Sequence, residues 1–184
     1  MHVNDNGLCW TVICSGVQHA FQNQSKAVYN ITEEELMAGL FATPVCKQVV
    51  GIVNCHIALA KRTMDKFNAA RFASEVADHF VAMLISHIKH LTVTQSGGLL
   101  LMQDMTMYKE CALRAGATTK RAELLTEIAK IYIVDASQLQ AILQDSSLHL
   151  LDPAEFRALV DARADSRANA SLLSKIVVKV KNTT

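Results

Sequence analysis

From Gly97 to Ala115 the chain reads as the seam of a helix laid lengthwise against another helix. Leu101, Met105, Tyr108, Ala112 and Ala115 recur at spacings of four, three, four and three. That rhythm keeps one stripe of a 3.6-residue helix apolar. Gly97-Gly98 stands directly before three leucines and reads as a hinge opening onto this helix. The stretch holds no arrangement for covalent chemistry, so its work is expected to be contact.

Composition extends the same reading to the whole chain. With 184 residues there is room for a sizeable core, and 51% apolar residues argue against disorder. Seven Gly and two Pro leave few helix breaks, and 5% aromatics suit an all-β fold poorly. The formal net charge of +1 lacks the basic excess of a nucleic-acid-binding domain. Five cysteines, an odd number without a Cys-x-x-Cys, read as reduced, buried thiols. Met1 to Asn6 lacks the basic opening of a signal peptide, and no apolar run is long enough to span a membrane.

Start and stop signals divide the chain into seven or eight helices. Leu8 to about Tyr29 reads as the first. Thr32 with Glu35 forms a capping box for a short second helix ending near Phe41. Thr43-Pro44 opens a long third, expected to run to about Phe67. Ser74 to Leu91 carries a stripe of Val76, Phe80, Leu84, Ile88 and Leu91. The seam helix follows and ends before Gly116, a C′ glycine. Thr118 to Val134 comes next, then a shorter helix through Leu139 and Leu143. Asp152-Pro153 opens a last helix, read as continuous through Phe156, Arg163 and Leu173 to Ile176. Val177 to Lys181 alternates like a strand with no partner and reads as a frayed tail. The expected architecture is all-α: one domain over residues 1–184, an elongated stack of antiparallel helical bundles, with 1–44 its least defined part.

Few side chains converge on chemistry. His87 and His90 are three apart and His79 two turns earlier, but a helical wheel lets only two meet. They read as one core-edge and two solvated histidines rather than a metal site. Ser96-Gly97-Gly98 lacks the lysine of a phosphate-binding loop. Cys14, Ser15 and Gly16 have no nearby base. Asp161 and Asp165, alternating with Arg157, Arg163 and Arg167, read as an exposed charged face. Lys175, Lys179 and Lys181 complement a helix C-terminus and are too few for a strong anionic-lipid site. No catalytic, cofactor-binding or metal-ligating residue is expected.

The stretch Phe80 to Leu91, then Ser96-Gly97-Gly98-Leu99-Leu100-Leu101 with Asp104 and Tyr108, resembles the C-terminal region of exocyst complex component 5, the "Sec-ten" family. Downstream, Leu125, Ile128 and Tyr132, then Gln138-Leu139-Gln140, then Phe156 and Arg163-Ala164-Asp165-Ser166-Arg167 follow the order of that family. The resemblance covers residues 45–176; the first forty residues and the tail after Ile176 lie outside it. It implies a rod of stacked helical bundles and a non-catalytic subunit module of the exocyst, which tethers secretory vesicles before fusion. It also implies a C-terminal portion of a longer subunit.

The implied partners are other exocyst subunits, most directly the "Sec-fifteen" type, and small GTPases. The implied location is cytoplasmic, peripheral at sites of secretion on the plasma membrane. Nucleic acid and small-molecule substrates are not expected. The residues expected to meet a partner are Gln103, Met107, Glu110 and Arg114 on the polar side of the seam helix, with Arg163, Asp165 and Arg167 in the closing motif. A methionine on a polar face can adapt to a partner. A recyclin-like F-box trafficking adaptor sharing this region, a lipid-binding helical domain and a helical metal- or ligand-binding enzyme are the competing readings.

Overall fold

The computed structural model describes residues 5–37, 41–144 and 147–181. Among these, nine α-helices form and no strand does. They are α1 (Asp5–Gln22), α2 (Glu33–Met37), α3 (Pro44–Thr63), α4 (Lys66–Ile88), α5 (Gln95–Ala115), α6 (Thr119–Ile133), α7 (Leu139–Gln144), α8 (Pro153–Asp161) and α9 (Ala170–Lys181). A 3-10 turn, Ser147–Leu150, separates α7 from α8. The all-α expectation holds. The expected run of the second helix toward Phe41 crosses residues 38–40, which lie outside the described residues.

Polar caps start α2, α3, α6 and α8 where the sequence places them. Thr32 N–H donates to Glu35 Oε2 at 2.8 Å, and Glu35 N–H returns to Thr32 Oγ1 at 3.2 Å. Thr43, Thr118 and Asp152 cap α3, α6 and α8. Each such cap is worth about 1 kcal/mol. Gly116 ends α5 at φ 105°, a left-handed conformation that favours glycine.

Four boundaries differ from the sequence reading. α1 stops at Gln22; the next residues form turns held by the α4–α5 link, with Thr92 N–H bonded to Lys26 O and Thr94 N–H to Tyr29 O, each at 3.0 Å. α3 stops at Thr63 and α4 begins at Lys66, because extended Met64 and the Asp65 cap intervene. Asp65 accepts from both Phe67 N–H and Asn68 N–H at 3.0 Å. The last helix is two: α8 ends at Asp161, and Val93 pairs with Arg163 in an isolated parallel bridge. The tail expected to fray continues α9 as helix to Lys181.

The glycine hinge is also replaced. Thr94 caps α5, so Gly97 and Gly98 lie inside its first turn. A Cβ on Gly97 would fall 1.6 Å from Tyr29 O, and one on Gly98 would meet the backbone of Tyr132 and Ile133 at 3.0 Å. These glycines permit close approach of main chains rather than bending.

Packing follows the seam. Leu101, Met105, Tyr108, Ala112 and Ala115 are all buried. α5 and α6 form the most extensive helix pair, and the start of α5 meets the end of α6, so they run antiparallel. Gly116 lies beside Ser74, which sets α4 antiparallel to α5 as well. α3 runs alongside α5: Thr43 bonds Asp104 and Cys111 bonds Asn54. The α4 stripe closes the core, with Phe80 edge-on to Tyr108 at 5.7 Å between ring centroids.

Candidate interaction face

The outer face of α5 carries Gln103, Thr106, Glu110, Leu113 and Arg114, all exposed. Glu110 and Arg114 are 3.7 Å apart at i,i+4 in solvent. Such a pair contributes little to stability, so both side chains are free to serve a contact. Met107 is not fully on this face: it is half-buried and packs against the core edge. A wheel position one step from Tyr108 and Cys111 gives its long side chain apolar surface to lie on.

Arg163 is not a surface residue, and this corrects its place in an exposed charged face. It is only 4% exposed. Its guanidinium donates to the carbonyls of Ile131 and, at 3.0 Å, Val134. These are carbonyls that the end of α6 leaves without helical partners. The same group holds Asp165 through two bonds of 2.8 and 2.7 Å. That fork keeps the Asp165 carboxyl below its ordinary range. Asp165 is therefore a half-exposed partner of an internal cation, while Arg167 stays exposed.

Arg167 lines two shallow clefts. One, of about 290 Å³, lies between α8 and α9 beside Arg157, Asp161 and Leu173. The other, of about 380 Å³, opens toward Lys89 and His90. Arg157 and Asp161 pair at 3.5 Å on α8, as their spacing predicts. The α5 residues and the 163–167 segment are not one patch. Arg163 sits by the α4–α5 link, whereas Arg114 lies at the far end of α5, roughly 30 Å away at the rise of a helix.

The most tightly built polar site is one that the sequence reading did not single out. Asp104 is completely buried. Tyr29 O–H donates to it at 2.5 Å, Thr43 N–H at 2.8 Å and Thr43 O–H at 2.7 Å. Burial pushes its carboxyl above the ordinary value, while the bonds from Tyr29 and Thr43 pull the other way. A signal existed: Asp104 lies four residues from Leu100 and four from Tyr108, inside the apolar stripe. Its partners are all structural, fastening the 29–43 segment to α5.

The histidines and cysteines singled out in the sequence are placed as follows. His87 stacks on Phe21, with ring centroids 4.0 Å apart, and its Nε2 meets Gln24 Oε1 at 2.5 Å. Burial lowers its pKa to about 4. His79 and His90 are exposed, and among the described residues no set of three potential ligands could hold a metal. Burial raises the Cys46 thiol and lifts that of Cys111 to about 11, so neither is a thiolate at neutral pH. Cys14 is half-buried against Met83, whereas Cys55 is exposed, against the expectation of buried thiols. Among the described residues no helix is long and apolar enough to cross a membrane.

Over residues 7–172 the chain matches the family described as exocyst complex component Sec10-like, alpha-helical bundle. The chain belongs to this Sec10-like family. The match begins at residue 7 and takes in α2 and all but the first two residues of α1, so the family match extends across a segment that lay outside the resemblance. Exocyst complex component 5 of Oryza sativa subsp. japonica is 24% identical over 93% of this chain and 22% of its own length. Exocyst complex component SEC10a of Arabidopsis thaliana is 24% identical over 91% of the chain and 20% of its own. Exocyst complex component 5 of Homo sapiens is 22% identical over 89% and 24%. The chain thus spans about a quarter or less of the length of these Sec10-type relatives.

Proposed function

We propose that this chain is a non-catalytic contact module of an exocyst-type tethering subunit, acting in vesicle docking on the cytoplasmic side of the plasma membrane. The supporting observation is the family match over residues 7–172 on a bundle in which the buried Asp104 and Arg163 are spent on internal fastening. Its partners in this reading are other exocyst subunits, the "Sec-fifteen" type first, and small GTPases. The proposed contact residues are Gln103, Glu110 and Arg114 on the outer face of α5, flanked by the half-buried Met107. Arg167, with Asp165 beside it, forms a second contact. Arg163 positions that second contact from inside.

Affinity purification of the tagged chain from its source cell, read by mass spectrometry, tests this. Several large helical tethering subunits should be recovered. The double variant Glu110→Lys, Arg114→Glu should lose at least one of them while keeping wild-type thermal stability, since exposed pairs contribute under about 1 kcal/mol. Recovery of an unrelated metabolic enzyme, or an unchanged partner set in the variant, would count against the reading.

A further inference from the structure

The turn between α3 and α4 protrudes. Gly116, in the neighbouring α5–α6 turn, packs on Ser74, eight residues into α4. The α3–α4 turn therefore stands about 12 Å proud of its neighbour, at 1.5 Å per helical residue. Lys61, Arg62 and Lys66 are exposed on it, and none of the three is in an ion pair among the described residues. Phe67 is 77% exposed beside them and Leu59 52%. The one carboxylate on the turn, Asp65, is occupied capping α4.

Folding accounts for part of this and leaves the rest. Lys61 and Arg62 complement the C-terminus of α3. Lys66 does the opposite: it opens α4, where the helix dipole favours an acid, and no acidic residue occupies that first turn. Lys120 repeats the pattern at the start of α6, on the step behind the tip. Phe67 and Leu59 exposed together beside three cations unpaired among the described residues, one of them set against a helix dipole, make a mixed apolar and basic surface that folding alone does not require.

We infer that the α3–α4 tip docks on an anionic membrane surface, with Phe67 entering the headgroup layer and Lys61, Arg62 and Lys66 meeting lipid phosphates and carboxylates. A projecting turn is convex, whereas an acidic peptide needs a groove or a sheet edge. A lipid surface accepts a protruding ring ringed by cations, and joining an apolar to an electrostatic signal is what makes peripheral binding stable. This inference stands apart from the tethering reading, because it concerns the chain with no other subunit present.

Co-sedimentation with vesicles of phosphatidylcholine, with and without phosphatidylserine, provides the test. Binding should require phosphatidylserine and fall steeply between about 0.1 M and about 0.5 M salt. The triple variant Lys61→Glu, Arg62→Glu, Lys66→Glu should bind at least about tenfold more weakly, Phe67→Ala several-fold, and Lys175→Glu as wild type. Circular dichroism and thermal melting confirm that the variants are folded; Lys66→Glu improves the dipole match. Independently of stability, Phe67→Trp fluorescence should shift to the blue with phosphatidylserine vesicles. No vesicle binding, an unmoved Phe67→Trp spectrum, or full binding by the triple variant overturns the inference. Capture on polyglutamate without vesicle binding also overturns it, in favour of an acidic protein partner.

Discussion

The phenol of Tyr29 hydrogen-bonds the carboxylate of Asp104 at 2.5 Å, joining positions 75 residues apart. Thr43 supplies two further donors to the same carboxylate. Truncation by Asp104→Ala would leave three buried donors without an acceptor. We expect a loss of about 3–5 kcal/mol in urea unfolding. Asp104→Asn keeps one acceptor oxygen and should lose less. Amide exchange in residues 26–36 should quicken in both variants, before the core of α4 and α6 is affected. A loss under about 1 kcal/mol in Asp104→Ala would mean the cluster fastens nothing.

Two glycines make opposite predictions. Gly97→Ala would drive a methyl into Tyr29 O and should cost more than about 3 kcal/mol or prevent folding. Gly51 lies on the exposed side of α3, and a Cβ placed there would meet nothing within 4 Å. Gly51→Ala should stabilise by about 0.5–1 kcal/mol. Thermal melts of the two variants, compared side by side, decide whether glycine serves contact at 97 and merely costs helix entropy at 51.

Arg163 separates structure from surface. Arg163→Ala should destabilise by about 2–4 kcal/mol, since it leaves the Ile131 and Val134 carbonyls without this donor and frees Asp165. Arg163→Lys should recover only a part, because an ammonium cannot hold two carbonyls and a carboxylate with one planar fork. Arg167→Ala should stay within about 0.5 kcal/mol of wild type. Denaturant midpoints for the three variants would expose any error; equal effects at 163 and 167 would return Arg163 to the surface set.

His87 predicts an acid-sensitive bundle. Its folded value of about 4 lies below its ordinary 6.5. Between those two values the unfolded chain binds a proton that the folded chain refuses. Stability from this group is therefore complete above about pH 6.5 and is lost as pH falls through about 4. With part of the ring still reached by solvent, about 2 kcal/mol is the expected size. Replacement by Phe keeps the stack on Phe21 and removes the titration, so His87→Phe should flatten the dependence of unfolding free energy over that window. An identical slope in the variant would assign the acid sensitivity elsewhere.

Helix identity was legible wherever period and cap agreed. The α4 and α5 stripes, the Thr43 and Asp152 caps and the Gly116 stop are all local patterns, and each appears in place. The Asp65 and Thr94 caps were local signals that went unread, whereas tertiary bonds decided the other failures. Arg157 to Arg167 has sound helical propensity, yet backbone pairing of Val93 with Ala162 and Ala164 breaks the helix. Arg163 resembles any exposed arginine until α6 brings two carbonyls to it. Asp104 could have been read from its place in the stripe, but its donors come from residues 61 and 75 positions away. Gln103, Glu110, Arg114 and Arg167 were legible as exposed polar positions, but the burial of Arg163 and the distance from Arg114 to the 163–167 segment were not.

The extended link from Leu91 to Thr94 bonds on one side to Lys26, Tyr29 and Ile31 and on the other to Ala162 and Ala164. Adding one residue there would put both sets of bonds out of register together, because neighbouring N–H groups in an extended segment point to opposite sides. The 26–31 turns and the 162–164 segment would then lose their shared anchor at once, although α3 stays packed on α5. Length changes tolerated at a solvent-facing connection would be ruinous at this one, so a four-residue link outside every helix exerts a strict demand on spacing.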